Sequence, residues 1–232
     1  MSDAAKLRID FIGMAFALAI GEVGLETGDI YSKNIPLLSH LYIPTHLFLC
    51  VYIIASSWIG WQMSESKGSQ ESIKDPFSIS FLILLVDLFL VICYFIMVRS
   101  VDKSPKVADS KTEILWSAII LGTFAVWDIL TKLIEEEETT RKLSFNVKKY
   151  LPRAYQAIIC LAIVIVLIEP MGRNTSSKGV VSTDCALISV FVLFRGLKLI
   201  NNNFSWLYKT VVYIGVPIVS LILSFAFYYN KL

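Results

Sequence analysis

Phe77-Ser-Ile-Ser-Phe-Leu-Ile-Leu-Leu-Val-Asp87-Leu-Phe-Leu-Val-Ile-Cys-Tyr-Phe-Ile-Met-Val98 is a run of 22 residues with one charge, at Asp87. At a rise of about 1.5 Å per residue, such a helix reaches across a hydrocarbon core of about 30 Å. A helix on the surface of a soluble domain is apolar along one stripe, and this one is apolar all round. Its solvent is therefore lipid.

Further apolar stretches lie on either side, separated by short polar loops. Together they predict an all-α, polytopic membrane bundle of about seven transmembrane helices occupying residues 1–232 as one membrane domain. The expected spans are Arg8–Val23, Pro36–Trp61, Phe77–Val98, Ile114–Ile134, Leu151–Ile168, Thr183–Ile200 and Trp206–Tyr229. The first is the shortest, with Asp10 and Glu22 bracketing its apolar part. The fifth stops at Glu169-Pro170, and Gly215 and Pro217 predict a kink in the seventh. Tryptophans and tyrosines cluster where interfaces belong, at Trp58 and Trp61, Trp116, Tyr150 and Tyr155, Trp206 and Tyr208.

Composition agrees. Apolar residues make up 56% of the 232 residues and charged ones 17%, where a soluble domain carries about a quarter. Mean hydropathy is +0.66. No polar stretch is long enough for a separate catalytic module, and a net charge of +2 gives no sign of nucleic acid as a partner. Cys50, Cys93, Cys160 and Cys185 lie in apolar stretches without metal-ligand spacing, so they read as packing residues. Lys6 and Arg8 precede the first apolar run, but Gly21-Glu22-Val23-Gly24 is a poor cleavage site, which makes that span a signal anchor.

Basic residues orient the bundle. With the N-terminus inside, 13 of the 21 lysines and arginines fall on the inner side and 8 on the outer side, the expected bias. A six-span alternative, with the first segment lying in the interface, would put the very basic 132–153 segment outside. Within the inner loop 135–153, Glu135 to Glu138 continue the fourth helix beyond the membrane. Lys142, Lys148, Lys149 and Arg153 alternate there with apolar residues, as in a segment facing anionic lipid headgroups. A plain basic linker is the equal alternative.

Few residues carry chemistry. No nucleophile elbow, zincin, phosphate-loop or dinucleotide motif is present, so no enzyme, cofactor or metal site is expected. His40 and His46 are six residues apart and do not share a helix face. Ionisable residues inside a membrane face protein or water, and three lie deep: Asp87, Asp128 and Arg195. Asp128 and Arg195 fall at similar depth and are expected to pair, either as a fixed packing contact or as a gate on an ion path. Asp87 has no basic residue at its depth, and His46 is the nearest candidate. Gly13, Ala17 and Gly21 at i, i+4 and i+8 form a stripe of small residues that suits close packing, within the chain or between copies.

Phe11-Ile-Gly-Met-Ala-Phe-Ala-Leu-Ala-Ile-Gly21 resembles the first helix of the bacterial relatives of the lysosomal potassium channel. Phe11, Phe16, Ala17, Ala19 and Ile20 match, while Ile12 and Gly13 stand where that family has Ser and Asp. Trp58-Ile-Gly-Trp61 is loosely similar to the family's second helix and to the low-temperature-requirement membrane family. The resemblance covers about a quarter of the chain. It implies a helical, channel-type membrane protein, without the pore chemistry of the missing Ser and Asp.

The expectation is a small homo-oligomeric, channel-like protein of a plasma (bacterial inner) membrane, its partners being lipid and copies of itself. A non-conducting sensor, anchor or effector subunit with a soluble cytoplasmic partner is the alternative. A small secondary transporter using Asp87 is a further one.

Overall fold

A computed structural model describes residues 3–33, 40–65, 78–101, 110–140, 147–173, 176–199 and 211–229. Seven α-helices, and no strand, occur among the described residues. They are α1 (Asp3–Ser32), α2 (Tyr42–Glu65), α3 (Ile79–Arg99), α4 (Lys111–Thr140), α5 (Val147–Ile163), α6 (Ser177–Leu199) and α7 (Val216–Tyr229). α5 continues into a π-helical turn, Val164–Ile168, and a 3-10 turn, Glu169–Arg173. A second π-helical turn, Val211–Gly215, leads into α7.

Six of these elements are long and apolar enough to cross a membrane, over Asp10–Ser32, Tyr42–Gln62, Ile79–Arg99, Lys111–Ile134, Ala154–Arg173 and Ser177–Lys198. The apolar part of α7, Val216–Ala226, is shorter. Residues 201–210, where the expected seventh span starts, lie outside the described residues. The architecture is that of a multi-pass membrane protein.

Local sequence sets the helix starts. Ser78 caps α3, its side chain accepting the Phe81 N–H at 3.2 Å, and Ser176 caps α6, accepting the Gly179 N–H at 3.1 Å. Pro44 falls in the first turn of α2, where its missing N–H costs nothing. These starts shift two expected boundaries. α2 begins at Tyr42, so His46 lies one turn from the end of its span rather than near the middle. α6 begins six residues before Thr183, which moves Asp184 from the edge of the expected span to a place two turns inside the helix.

The first span also differs from expectation. It is not short: its apolar part has 23 residues. Glu22 and Glu26 do not end it because both are turned inward and buried. Glu22 is ion-paired with Arg99 at the end of α3.

Neighbouring helices close a ring, α1–α2–α6–α5–α4–α3–α1, with α7 against α6. α6 is the most enclosed, with 67% of its span buried against 33–44% for the other five. Phe16 of α1 meets Trp58 edge-on at 5.7 Å and Tyr94 at 5.9 Å, which locks α1, α2 and α3 together. Phe124 and Phe194 join α4 to α6 at 5.2 Å. Outward, Leu82, Leu85, Phe89, Ile92 and Ile96 form an exposed stripe on α3. Apolar outside and ionisable inside is the pattern a bilayer selects.

Candidate functional site

The buried ionisable groups form two layers. The first lies at the end where α2, α4 and α6 begin and α3 finishes. It joins His46 of α2, Glu113 of α4 and Asp184 of α6, all buried, with one ligand-type atom from each within 4.8 Å of the others. Glu113 Oε1 is 2.6 Å from His46 Nδ1. Asp184 Oδ2 accepts the Thr45 hydroxyl at 2.5 Å. Asp184 also meets the Glu113 carboxyl, side chain to side chain, and its buried Oδ1 takes no hydrogen from an N–H or O–H group.

A fixed backbone group orients the imidazole. Met97 is in the last turn of α3, where carbonyls have no partner within the helix. Its carbonyl lies 2.9 Å from His46 Nε2. A carbonyl only accepts, so Nε2 carries the hydrogen and donates. Cys50 Sγ sits on that same side of the ring, 3.5 Å from Nε2. Nδ1 is then turned towards Glu113.

The α5 break adjoins this layer. Gly172, in the 3-10 turn, packs so tightly against α4 that an added Cβ would lie 2.5 Å from Ile114 Cδ1 and 3.6 Å from Ser110 Oγ. Ile114 is the chain neighbour of Glu113. Irregular backbone at membrane depth is tolerated where it is enclosed by protein, and it often borders ion sites.

The second layer lies towards the opposite end. Asp128 is paired directly with Lys198, Nζ to Oδ1 2.7 Å, while Arg195, the expected partner, lies within electrostatic reach of Asp128 without a hydrogen bond from its Nε or Nη2. Lys198 is three residues further along α6, on the same face. Arg195 instead lies over the Phe124 and Phe194 rings, 5.1 and 5.3 Å from their centroids. It is packed against Gly60, where any side chain would collide with the guanidinium. Asp87 takes a 2.9 Å hydrogen bond from Trp127 Nε1 and does not meet His46, which belongs to the other layer.

The small-residue stripe divides. Gly13 lies against Trp58 of its own chain, 3.4 Å from where a Cβ would be, whereas Ala17 and Gly21 are exposed. Of the headgroup candidates, Lys142 lies outside the described residues. Lys148, Lys149 and Arg153 fall on the α5 backbone, with side chains outside the description.

Glu113, Asp184 and Lys198 are the residues that reading the sequence did not single out. A signal for Glu113 was present: Ser110-Lys-Thr-Glu113 has the spacing of a capping box, which marks a helix start and so brings Glu113 into the span. Its carboxylate is directed to His46, and Ser110 Oγ makes no hydrogen bond. No family model matches the chain, and no curated protein and no solved structure matches it either.

Proposed function

We propose that this protein carries cations across its membrane, taking them up at His46, Glu113 and Asp184. The observation that supports this best is the placement of two carboxylates and an imidazole together, buried within the span, beside the irregular end of α5. Two carboxylates and a neutral imidazole sum to a charge of −2, and a buried site of that charge draws protons or metal cations.

Beyond the site the interior is filled. Tyr94, Phe191 and Phe194 are fully buried, and Arg195 and Lys198 follow with positive charge. A cation moving through one bundle needs a rearrangement of that interior, which favours a carrier over an open pore. The break in α5 is the element placed to move.

A channel-like oligomer is the second reading. Gly21, Gly24 and Gly28 have open space where a side chain would be, so α1 offers a face on which copies can approach and surround an axis. The resemblance of residues 11–21 to a potassium-channel helix points the same way.

Cation flux in liposomes containing the purified protein tests the proposal. Wild type should discharge an imposed cation gradient, and Asp184→Asn should reduce the rate at least about tenfold, as for a ligand whose charge draws the ion. Flux equal to that of protein-free liposomes rejects transport. Flux that Asp184→Asn leaves unchanged moves the path elsewhere, to the α1 face.

A further inference from the structure

We infer that His46, Glu113 and Asp184 bind one divalent first-row transition metal ion, of the Zn2+ class, inside the membrane span. This deepens the proposed cation site by naming its ion, and it rests on that proposal only for the claim that the ion is cargo.

Three observations carry it. His46 Nε2 is committed as a donor to the Met97 carbonyl at 2.9 Å. In the neutral ring Nδ1 therefore presents a lone pair, and it faces Glu113 Oε1 at 2.6 Å. A lone pair and a carboxylate oxygen do not approach that closely with nothing positive between them, so a proton or a metal ion belongs there. Imidazoles that bind metals almost always donate their other N–H to a carbonyl or carboxylate, which fixes the tautomer and the ring plane. The Met97 carbonyl fills that role here.

The second observation is Asp184. It is fully buried, its Oδ2 is held by Thr45 at 2.5 Å, and its carboxyl meets that of Glu113. Two buried carboxyl groups in contact need a positive charge between them, a proton or a metal ion, and the Thr45 hydroxyl orients Asp184 as an outer-shell partner orients a ligand. The third is geometry. One atom from each residue lies within 4.8 Å of the others. Ligands at about 2.0–2.2 Å from a tetrahedral centre are about 3.4 Å apart, so small side-chain rotations suffice to seat an ion.

Charge decides the class. Two carboxylates with a neutral imidazole cancel a divalent ion, leaving a neutral site inside the bilayer. One nitrogen and two oxygens suit zinc and its first-row neighbours better than calcium, which takes six to eight oxygens. Three protein ligands leave a fourth position open.

The test is metal content of the full-length protein in detergent. The protein is stripped with EDTA, dialysed against Zn2+ or Co2+, freed of loose metal and analysed for metal per chain. Wild type and Leu85→Ala, altered on the outer face of α3, should each retain about one ion, the Co2+ form showing the visible absorption of a low-coordinate centre. Asp184→Asn and His46→Gln should lose it. Thr45→Val, which keeps all three ligands and only frees Asp184, should bind about 10–100-fold more weakly, the usual effect of removing an outer-shell partner. It carries the test if the ligand variants fail to fold. Folded wild type that retains neither ion overturns the inference, as does retention unaffected by Thr45→Val, Asp184→Asn and His46→Gln alike. Metal-free wild type that still moves cations in liposomes rejects the metal and keeps transport. Metal-loaded wild type without flux does the reverse.

Discussion

At the residue scale, the charges inside the span are arranged by rotational phase as much as by depth. Asp128 and Arg195 have matching depth, yet it is Lys198, one turn along, whose ammonium reaches Asp128. Arg195 is diverted by the two phenylalanine rings and by the space that Gly60 leaves. Removing one partner of a buried pair costs about 3–5 kcal/mol, because the other charge stays behind. Lys198→Met and Asp128→Asn should each lower stability by about that much in detergent unfolding, and the double variant by less than their sum. The coupling energy of Asp128 with Lys198 should exceed that with Arg195; the opposite order would return the pair to Arg195. Gly60→Ala should cost about 1–3 kcal/mol by overpacking, and Arg195→Met should relieve most of that loss. An additive Gly60–Arg195 cycle would show that the guanidinium simply moves aside.

At the scale of elements, α3 was legible from its own residues because a run of 22 residues carries one charge. α6 and α1 differ from expectation for a shared reason. Polar and acidic residues near a span end look like loop in a one-dimensional reading, and a helix that turns them inward keeps going. Ser176 caps α6 early and moves Asp184 from the span's edge to two turns inside it; Glu22 is buried against Arg99 and α1 continues to Ser32. Glu113 was hidden in the same way at the start of α4. The candidate site was thus present in the sequence only as one acidic residue just outside an expected span, another at the edge of one, and a histidine placed too deep. Its assembly depends on which faces α2, α4 and α6 turn inward, and hydropathy alone does not carry that. The side of the membrane on which it opens follows from topology. α2, α3 and α4 separate residue 33 from residue 145, an odd number of crossings. In a background without native cysteines, Lys33→Cys and Phe145→Cys should therefore label from opposite sides of a sealed vesicle with an impermeant reagent. Labelling from the same side would mean that one of those three helices does not cross.

At the scale of the whole molecule, the ring of six helices is closed by side chains from within, so the remaining freedom lies on its outer faces. Most of that surface is apolar and bulky, as on α3, and suits lipid. α1 is different. Gly13 is used inside the chain against Trp58, but Ala17, Gly21, Gly24 and Gly28 are exposed along one side of the helix, at spacings of four, three and four residues. Small residues let helix backbones approach and gain dispersion contacts that lipid tails do not replace. The predicted consequence is association of copies through α1, centred on Ala17 and Gly21. Ala17→Leu places a branched side chain where the backbones would meet and should shift the native mass in detergent from oligomer towards monomer. Leu85→Ala, on the lipid-facing stripe of α3, should leave that mass distribution unchanged. A monomeric wild type rejects self-association and the axial pore with it, leaving the acidic site within one chain as the remaining route for a cation. An oligomer indifferent to Ala17→Leu places the contact on another face and removes α1 as the lining of any shared axis.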